Sequence, residues 1–342
     1  MKILAYISNN SIQMLLALLV SSLLAGCHTI NEGEGDCSTT YRVKFVYDKN
    51  MKYADAFAHE VKSVSLYVLD EDGKLVWQGS EQGEALAAAD YTMEVGVPAA
   101  CKDYDLIAWC GLKEGGTFSV PTVQVGDSKE KLTCTLRRTY DAAGQACVNE
   151  EVTPLYYGFQ MQSFCSEEGV HTYTVPLTKN TNAVRIALQH LSGSPVEKNQ
   201  YTFTITDENG RMDWNNELLD DEPLTYYPWR IDSGSAVLEG ASTRDDVVLN
   251  AAVAEFTVGR LVLGHHPRLT VTNQRGETIF SIPLIDYALL VKGYYNRDMD
   301  DQEYLDRQDE YNMVFFLDEN DRWMNAYIYI NSWKVVLQNA DI

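Results

Sequence analysis

The sequence is poor in positive charge. Its 342 residues hold 27 Lys and Arg against 49 Asp and Glu, a formal net charge of −22. A chain this acidic repels nucleic acid, so no nucleic-acid partner is expected. Histidine is scarce too, with six. There is no C-x-x-C pair, and "HEVKS" at His59-Glu60 lacks the second histidine of a zinc-protease helix. No G-x-S-x-G, P-loop or G-x-G-x-x-G occurs, which removes three common frames of catalysis. The acidic turns Asp70-Glu71-Asp72-Gly73 and Asp207-Glu208-Asn209-Gly210 lack the distal glutamate of a calcium loop. His265-His266, before Pro267, reads as a solvated loop, and Asp298, Asp300 and Asp301 as solvated acids. No catalytic residue, metal ligand or cofactor is expected, and the chain reads as non-enzymatic.

Long hydrophobic runs are absent with one exception at the front. Ser11–Leu24 is almost wholly apolar, follows the single charge of Lys2 and ends Leu24-Ala25-Gly26-Cys27. The run is shorter than the roughly 20 residues that span a bilayer. A basic start, a short apolar core and small closing residues describe an export signal. The ending resembles the lipobox of bacterial lipoproteins, which makes residues 1–26 a signal peptide and Cys27 a lipidated first residue. Its acyl chains, at about 0.8 kcal/mol per buried CH₂, anchor stably once there are two or more. "HTINEGEGDCSTT" follows, polar and acidic at Glu32, Glu34 and Asp36, so 27–40 reads as a flexible tether.

Six further cysteines, Cys37, Cys101, Cys110, Cys134, Cys147 and Cys165, all lie in the first half. An even number in an exported chain permits disulfides. Cys110 and Cys134 sit in apolar runs that suit buried thiols, and Cys147 and Cys165, in the more polar stretch 141–170, are the candidates for a bridge.

With 45% hydrophobic and 11% aromatic residues the chain can build a substantial core. Its dominant period is two: "YRVKFVY" (41–47), "VKSVSLYVLD" (61–70), "YTMEVGV" (91–97), "YDLIAWC" (104–110) and "KLTCTL" (131–136) read as strands. Asp70–Gly73 turns a hairpin, and "MKYADAFAHE" (51–60) spaces Tyr53, Phe57 and Val61 for a turn or two of helix. "YTFTITDENGRMDW" (201–214) reads as a second hairpin, "RLTVTNQRGETIFSIPL" (268–284) as a third, and 213–250 as a long surface loop. A short helix fits 296–311. Short antiparallel strands in two halves, split at the polar break Lys179-Asn180-Thr181-Asn182, predict an all-β protein of two β-sandwiches, 41–179 and 180–342. "TYYPWR" reads as a loop packed against the sandwich, or as a stacking face for a glycan built from Tyr226, Tyr227 and Trp229.

"FVYDKNMKYADAFAHEVKSVSLYVLDEDGKLVW", "YDLIAWCG", "VPLTKNTNAVRIALQ" and "INSWKVV" together resemble the FimB-type fimbrial anchor family of Bacteroidetes-type (type V) pili, from about Tyr41 to the C-terminus. Cys101 falls outside that pattern. The resemblance implies two transthyretin-like Greek-key sandwiches, a surface-exposed outer-membrane lipoprotein held by lipid on Cys27, and a fimbrial stalk subunit (fimbrillin) as partner. It implies anchoring of the fimbria and a part in setting its length. In such pili subunits join by strand exchange after an arginine-specific protease removes the first strand of stalk subunits. Here the first arginine after Cys27 is Arg42, and cutting there would release the lipid. Arg42 is therefore expected to stay uncut, so that the chain donates a strand rather than accepts one. The donor candidate is "WMNAYIYINSWKVVLQN", where Ala326, Ile328 and Ile330 alternate with Tyr327 and Tyr329; the same stretch also suits the last strand of the second sandwich. A surface glycan-binding lipoprotein and a pilus tip adhesin are the alternatives.

Overall fold

The computed structural model describes residues 39–98, 101–165, 167–238, 247–293, 296–324, 327–331 and 333–336. These are mostly strands, numbered here in chain order. One seven-stranded sheet runs β3 (Leu75–Gln82), β2 (Ser63–Leu69), β5 (Lys102–Cys110), β10 (Tyr156–Phe164), β11 (Gly169–Lys179), β1 (Thr39–Val46), β4 (Met93–Val95). β10 and β11 pair only over Tyr156–Gly158 and Leu177–Lys179, which leaves the sheet free to fold at that seam. Its two wings close over one core. Val64, Leu66, Leu106 and Ala108 of one wing meet Val43, Phe45, Val95 and Val175 of the other, and the result is a β-sandwich.

The outer face of β2, β5 and β10 is buried as well. Tyr67, Leu69, Ile107, Trp109 and Tyr157 belong to a second core. A strand covered on both faces has no solvent side, so "SVSLYVL" and "LIAWC" read as nearly unbroken apolar runs instead of alternating. That second core is closed by two six-stranded sheets. One runs β16 (Arg230–Leu238), β17 (Val247–Gly259), β12 (Thr181–His190), β20 (Glu310–Leu317), β21 (Tyr327–Ile330), β22 (Trp333–Val336). The other runs β19 (Thr278–Pro283), β18 (Arg268–Asn273), β13 (Tyr201–Asp207), β15 (Leu224–Tyr226), β9 (Ala146–Val148), β8 (Thr139–Tyr140). Ile186, Phe256 and Phe315 of the first pack with Phe203, Val271 and Phe280 of the second, with the Phe280 and Phe315 rings stacked 4.6 Å apart. A small sheet, β14 (Arg211–Met212), β7 (Cys134–Leu136), β6 (Phe118–Ser119), lies beside them. Among the described residues three short helices connect strands: α1 (Phe57–Glu60), α2 (Leu284–Leu289) and α3 (Asp301–Arg307).

The turn at Asp70–Gly73 forms as its residues require. Gly73 takes φ 69°, and Asp70 Oδ1 accepts from the amides of Asp72 and Lys74, closing the β2–β3 hairpin. At Asn180, fully buried, the chain passes from β11 to β12. The Asn180 amide donates to Asn216 Oδ1 at 2.5 Å and that of Asn216 returns to Asn180 Oδ1 at 3.2 Å, satisfying both at a buried crossing.

Two expectations fail. Residues 201–214 do not form a hairpin: β13 pairs with β18 and β15, while β14 pairs with β7. Asn209 is buried, accepts from Tyr226 Oη at 2.5 Å and donates to the Arg260 carbonyl at 3.3 Å. A Cβ on Gly210 would lie 2.5–2.7 Å from Asp221, Arg138 and Leu224. The Asn-Gly pair therefore marks a close-packed corner, not a solvent turn. Nor is 213–250 all loop, since β15, β16 and the start of β17 fall within it. The helix expected across 51–60 is confined to Phe57–Glu60, and the one expected in 296–311 is α3.

Candidate anchoring and partner-binding sites

The first strand sits inside its sheet, between β11 and β4. Tyr41, Val43 and Phe45 are at most 1% exposed, and Phe45 stacks on Phe57 of α1 at 5.8 Å. Arg42 points outward opposite Glu94. With neighbours on both sides, the backbone groups of β1 are used in ladders and leave no vacant groove at this position. Cys27, the candidate lipidated residue, lies outside the described residues, as do Cys37 and most of the tether.

Just beyond β1 the chain is held to α3. Asp306, 3% exposed, takes two bonds from Arg260, at 2.8 Å each, and one from Lys49 at 2.8 Å. Burial pushes its carboxyl up, but Arg260 and Lys49 outweigh it and hold it below its ordinary value. Arg307 donates to the carbonyls of Asp48 and Asn50 and lies 4.6 Å from the Tyr53 ring centre. Lys179 joins the same seam through Asp309 at 2.5 Å and Glu60 at 3.4 Å. Sequence reading missed this cluster, because Lys49 and Asp306 are 257 residues apart and no local spacing relates them.

The C-terminal stretch is a hairpin of this chain's own sheet. β21 pairs with β20 through Met313↔Ile330 and Val314↔Tyr329, and with β22 from Tyr327↔Val336 to Ile330↔Trp333. Ile328 and Ile330 are fully buried in the second core, while Ala326 lies outside the described residues. The turn uses Asn331 at φ 48°, a left-handed conformation that asparagine tolerates. Asn331 and Asn312 exchange bonds at 2.8 Å, fixing the register. Among the described residues β22 stands at the edge of its sheet.

The three aromatic residues proposed as a platform do not share one face. Tyr226 is 1% exposed, with its hydroxyl on Asn209, so its ring presents nothing to a sugar. Tyr227 and Trp229 are half-buried. Trp229 lines a cleft of about 300 Å³ with Glu151, Arg185, Glu255 and Asn312. Cys147 and Cys165 lie in different surroundings. Cys147 is buried in β9, with Sγ 3.3 Å from Thr139 Oγ1. Cys165, just past β10, has Sγ 3.5 Å from His171 Nδ1. The structure does not bring the two together.

Asp207 is 7% exposed and its Oδ2 has no partner. Burial raises its pKa to about 6. It lines a hollow with Glu208, His265 and His266, but among the described residues no three His, Cys, Asp or Glu side chains are grouped to hold a metal ion.

The architecture defines an all-β sandwich protein with its first strand built in and an edge hairpin at its end. The chain belongs to the family of fimbrillin-A associated anchor proteins Mfa1 and Mfa2, whose family model matches residues 34–339. Among solved structures it is similar to a candidate adhesin from Bacteroides thetaiotaomicron VPI-5482, with 33% identity, a TM-score of 0.77, and 87% of this chain and 97% of the other covered. A candidate polysaccharide-binding protein from the same organism shares 31% identity at a TM-score of 0.75, over 89% of this chain and all of the other. The fimbrial anchor protein Mfa2 from Porphyromonas gingivalis shares 18% identity at a TM-score of 0.65, over 88% and 100%, a likeness of fold. Nothing matches among curated proteins.

Proposed function

We propose that this chain is a lipoprotein that holds a fimbria on the outer membrane of the cell and helps set its length, without catalysing a reaction. The observation that carries the reading is the family match over 34–339, placed directly behind a lipobox at Leu24–Cys27. Lipid on Cys27 forms the membrane end, residues 27–40 the tether, and the two sandwiches, the second of which takes β8 and β9 from the 41–179 half, the body that meets the fimbrillin.

Strand exchange suits the two ends of the body differently. β1 is paired on both sides, so a donated strand finds no place there, and Arg42 stays uncut because cleavage would free the lipid. The β21–β22 hairpin is the end offered to the pilin, through main-chain bonding along its edge or release of the strand carrying Ala326, Ile328 and Ile330. Deletion of the protein followed by electron microscopy of the cells tests the role. Shed or abnormally long fimbriae are expected, and normal attached fimbriae would contradict it.

A second reading, glycan binding or adhesion, draws on the half-exposed Trp229 and its polar cleft, and on the two relatives described as adhesin and polysaccharide-binding. Trp229 would stack on a sugar ring, with Glu255 and Asn312 bonding its hydroxyls. Retention of the chain on a glycan column without fimbrillin would favour this reading over the anchor.

A further inference from the structure

We propose that Cys101 and Cys165 are joined by a disulfide in the exported chain. β5 and β10 pair without a break from Tyr156↔Cys110 to Phe164↔Lys102. Continued by one residue, that register would set Cys101 opposite Cys165. Opposed residues of antiparallel strands stand about 4.5 or 5.5 Å apart at Cα, and disulfides span about 4.4–6.8 Å. Either spacing fits.

The Tyr41 hydroxyl donates to the Cys165 carbonyl at 2.5 Å. Burial first, and then Cys165, Tyr104 and Cys101, raise its pKa. The site is open to a reagent, since Cys101 is exposed and Cys165 half-buried. His171 Nδ1, 3.5 Å from Cys165 Sγ, is placed to take the thiol proton. The remaining described cysteines are sequestered. Burial pushes the thiols of Cys110 and Cys134 far above their ordinary value, and Cys147 is buried in β9.

The oxidant is a disulfide donor of the cell envelope. The Cys165 thiolate attacks one donor sulfur and expels the other as a thiolate, giving a mixed disulfide. The Cys101 thiolate then attacks Cys165 Sγ and expels the second donor sulfur. The donor leaves as a dithiol, carrying the two electrons and the two protons. The bridge closes the loop from 101 to 165 beside Tyr41, and so clamps the end of the sandwich at which β1 enters. In cells the bridge rests on the export that the proposed function assigns.

The test uses the purified full chain in a buffer of oxidised and reduced glutathione, then alkylation, digestion and mass spectrometry without reduction. One linked peptide pair, containing Cys101 and Cys165 and lost on reduction, is expected. Reduction should lower the melting temperature by roughly 5–10 °C in the native sequence and leave Cys101→Ser unmoved. Alkylation of both thiols in that buffer, or linkage of Cys165 to Cys37 or Cys147, overturns the pairing. A link that forms in buffer but is missing from protein isolated from cells counts against export and leaves the geometry standing.

Discussion

The first and last strands of the body are built to opposite plans. β1 has a neighbour on each side and buries every second residue from Tyr41 to Phe45, so nothing remains for a partner to pair with. The β21–β22 hairpin buries Ile328 and Ile330 just as fully, yet among the described residues β22 has a neighbour on one side only. One end is closed by its own sheet and the other, among the described residues, has an edge strand. In the proposed function that asymmetry sets a direction, with membrane at the closed end and pilin at the open one.

Three substitutions sharpen the contrast. Phe45→Ala strikes the closed end. It removes a buried ring stacked on Phe57 and should cost about 3–5 kcal/mol in chemical denaturation. Because β1 is interior, its amides should exchange only on global unfolding.

Asp306→Asn breaks the seam between the residues after β1 and the helix before β20. It leaves Arg260 and Lys49 without their buried carboxylate and should cost about 3 kcal/mol at neutral pH. The pH dependence has a definite sign. The Asp306 carboxyl is depressed in the folded chain, so its stabilisation is present above the ordinary carboxylate value and is lost as pH falls through the folded one. Acid titration of stability should therefore be steeper in the native protein than in Asp306→Asn.

Ile328→Val, at the open end, should cost about 1 kcal/mol. Hydrogen exchange should show the hairpin opening locally, ahead of the body. If the hairpin proved as protected as β1, the contrast between the ends would be broken.

Local pattern carried the strands well and the partners of those strands poorly. The 268–284 hairpin was legible because period, a turn glycine and β-branched residues agree over a few residues, and "VKSVSLYVLD" and "YDLIAWC" because a short apolar run ends at a turn signal. The resemblance to fimbrial anchors was legible for the same reason, resting on short signatures. The 201–214 hairpin was misread because Asn209-Gly210 has the composition of an exposed turn, whereas burial of Asn209 against Tyr226 is a long-range fact. The parallel pairings of β12 with β20 and of β15 with β9 join segments far apart in the chain, and no local period announces them. Tyr226 looked like a platform beside Trp229, and only its place in β15 shows that it belongs to the core. Cys101 stood outside the recognised pattern, and only the β5–β10 register, continued by one pair, would set it opposite Cys165.

The central claim is that the fimbria hangs on the cell through one residue. A Cys27→Ala variant, expressed in place of the native protein and followed by fractionation of cells and medium, tests it directly. The account predicts that the protein and its fimbria appear together in the medium. Retention of both with the outer membrane would contradict it.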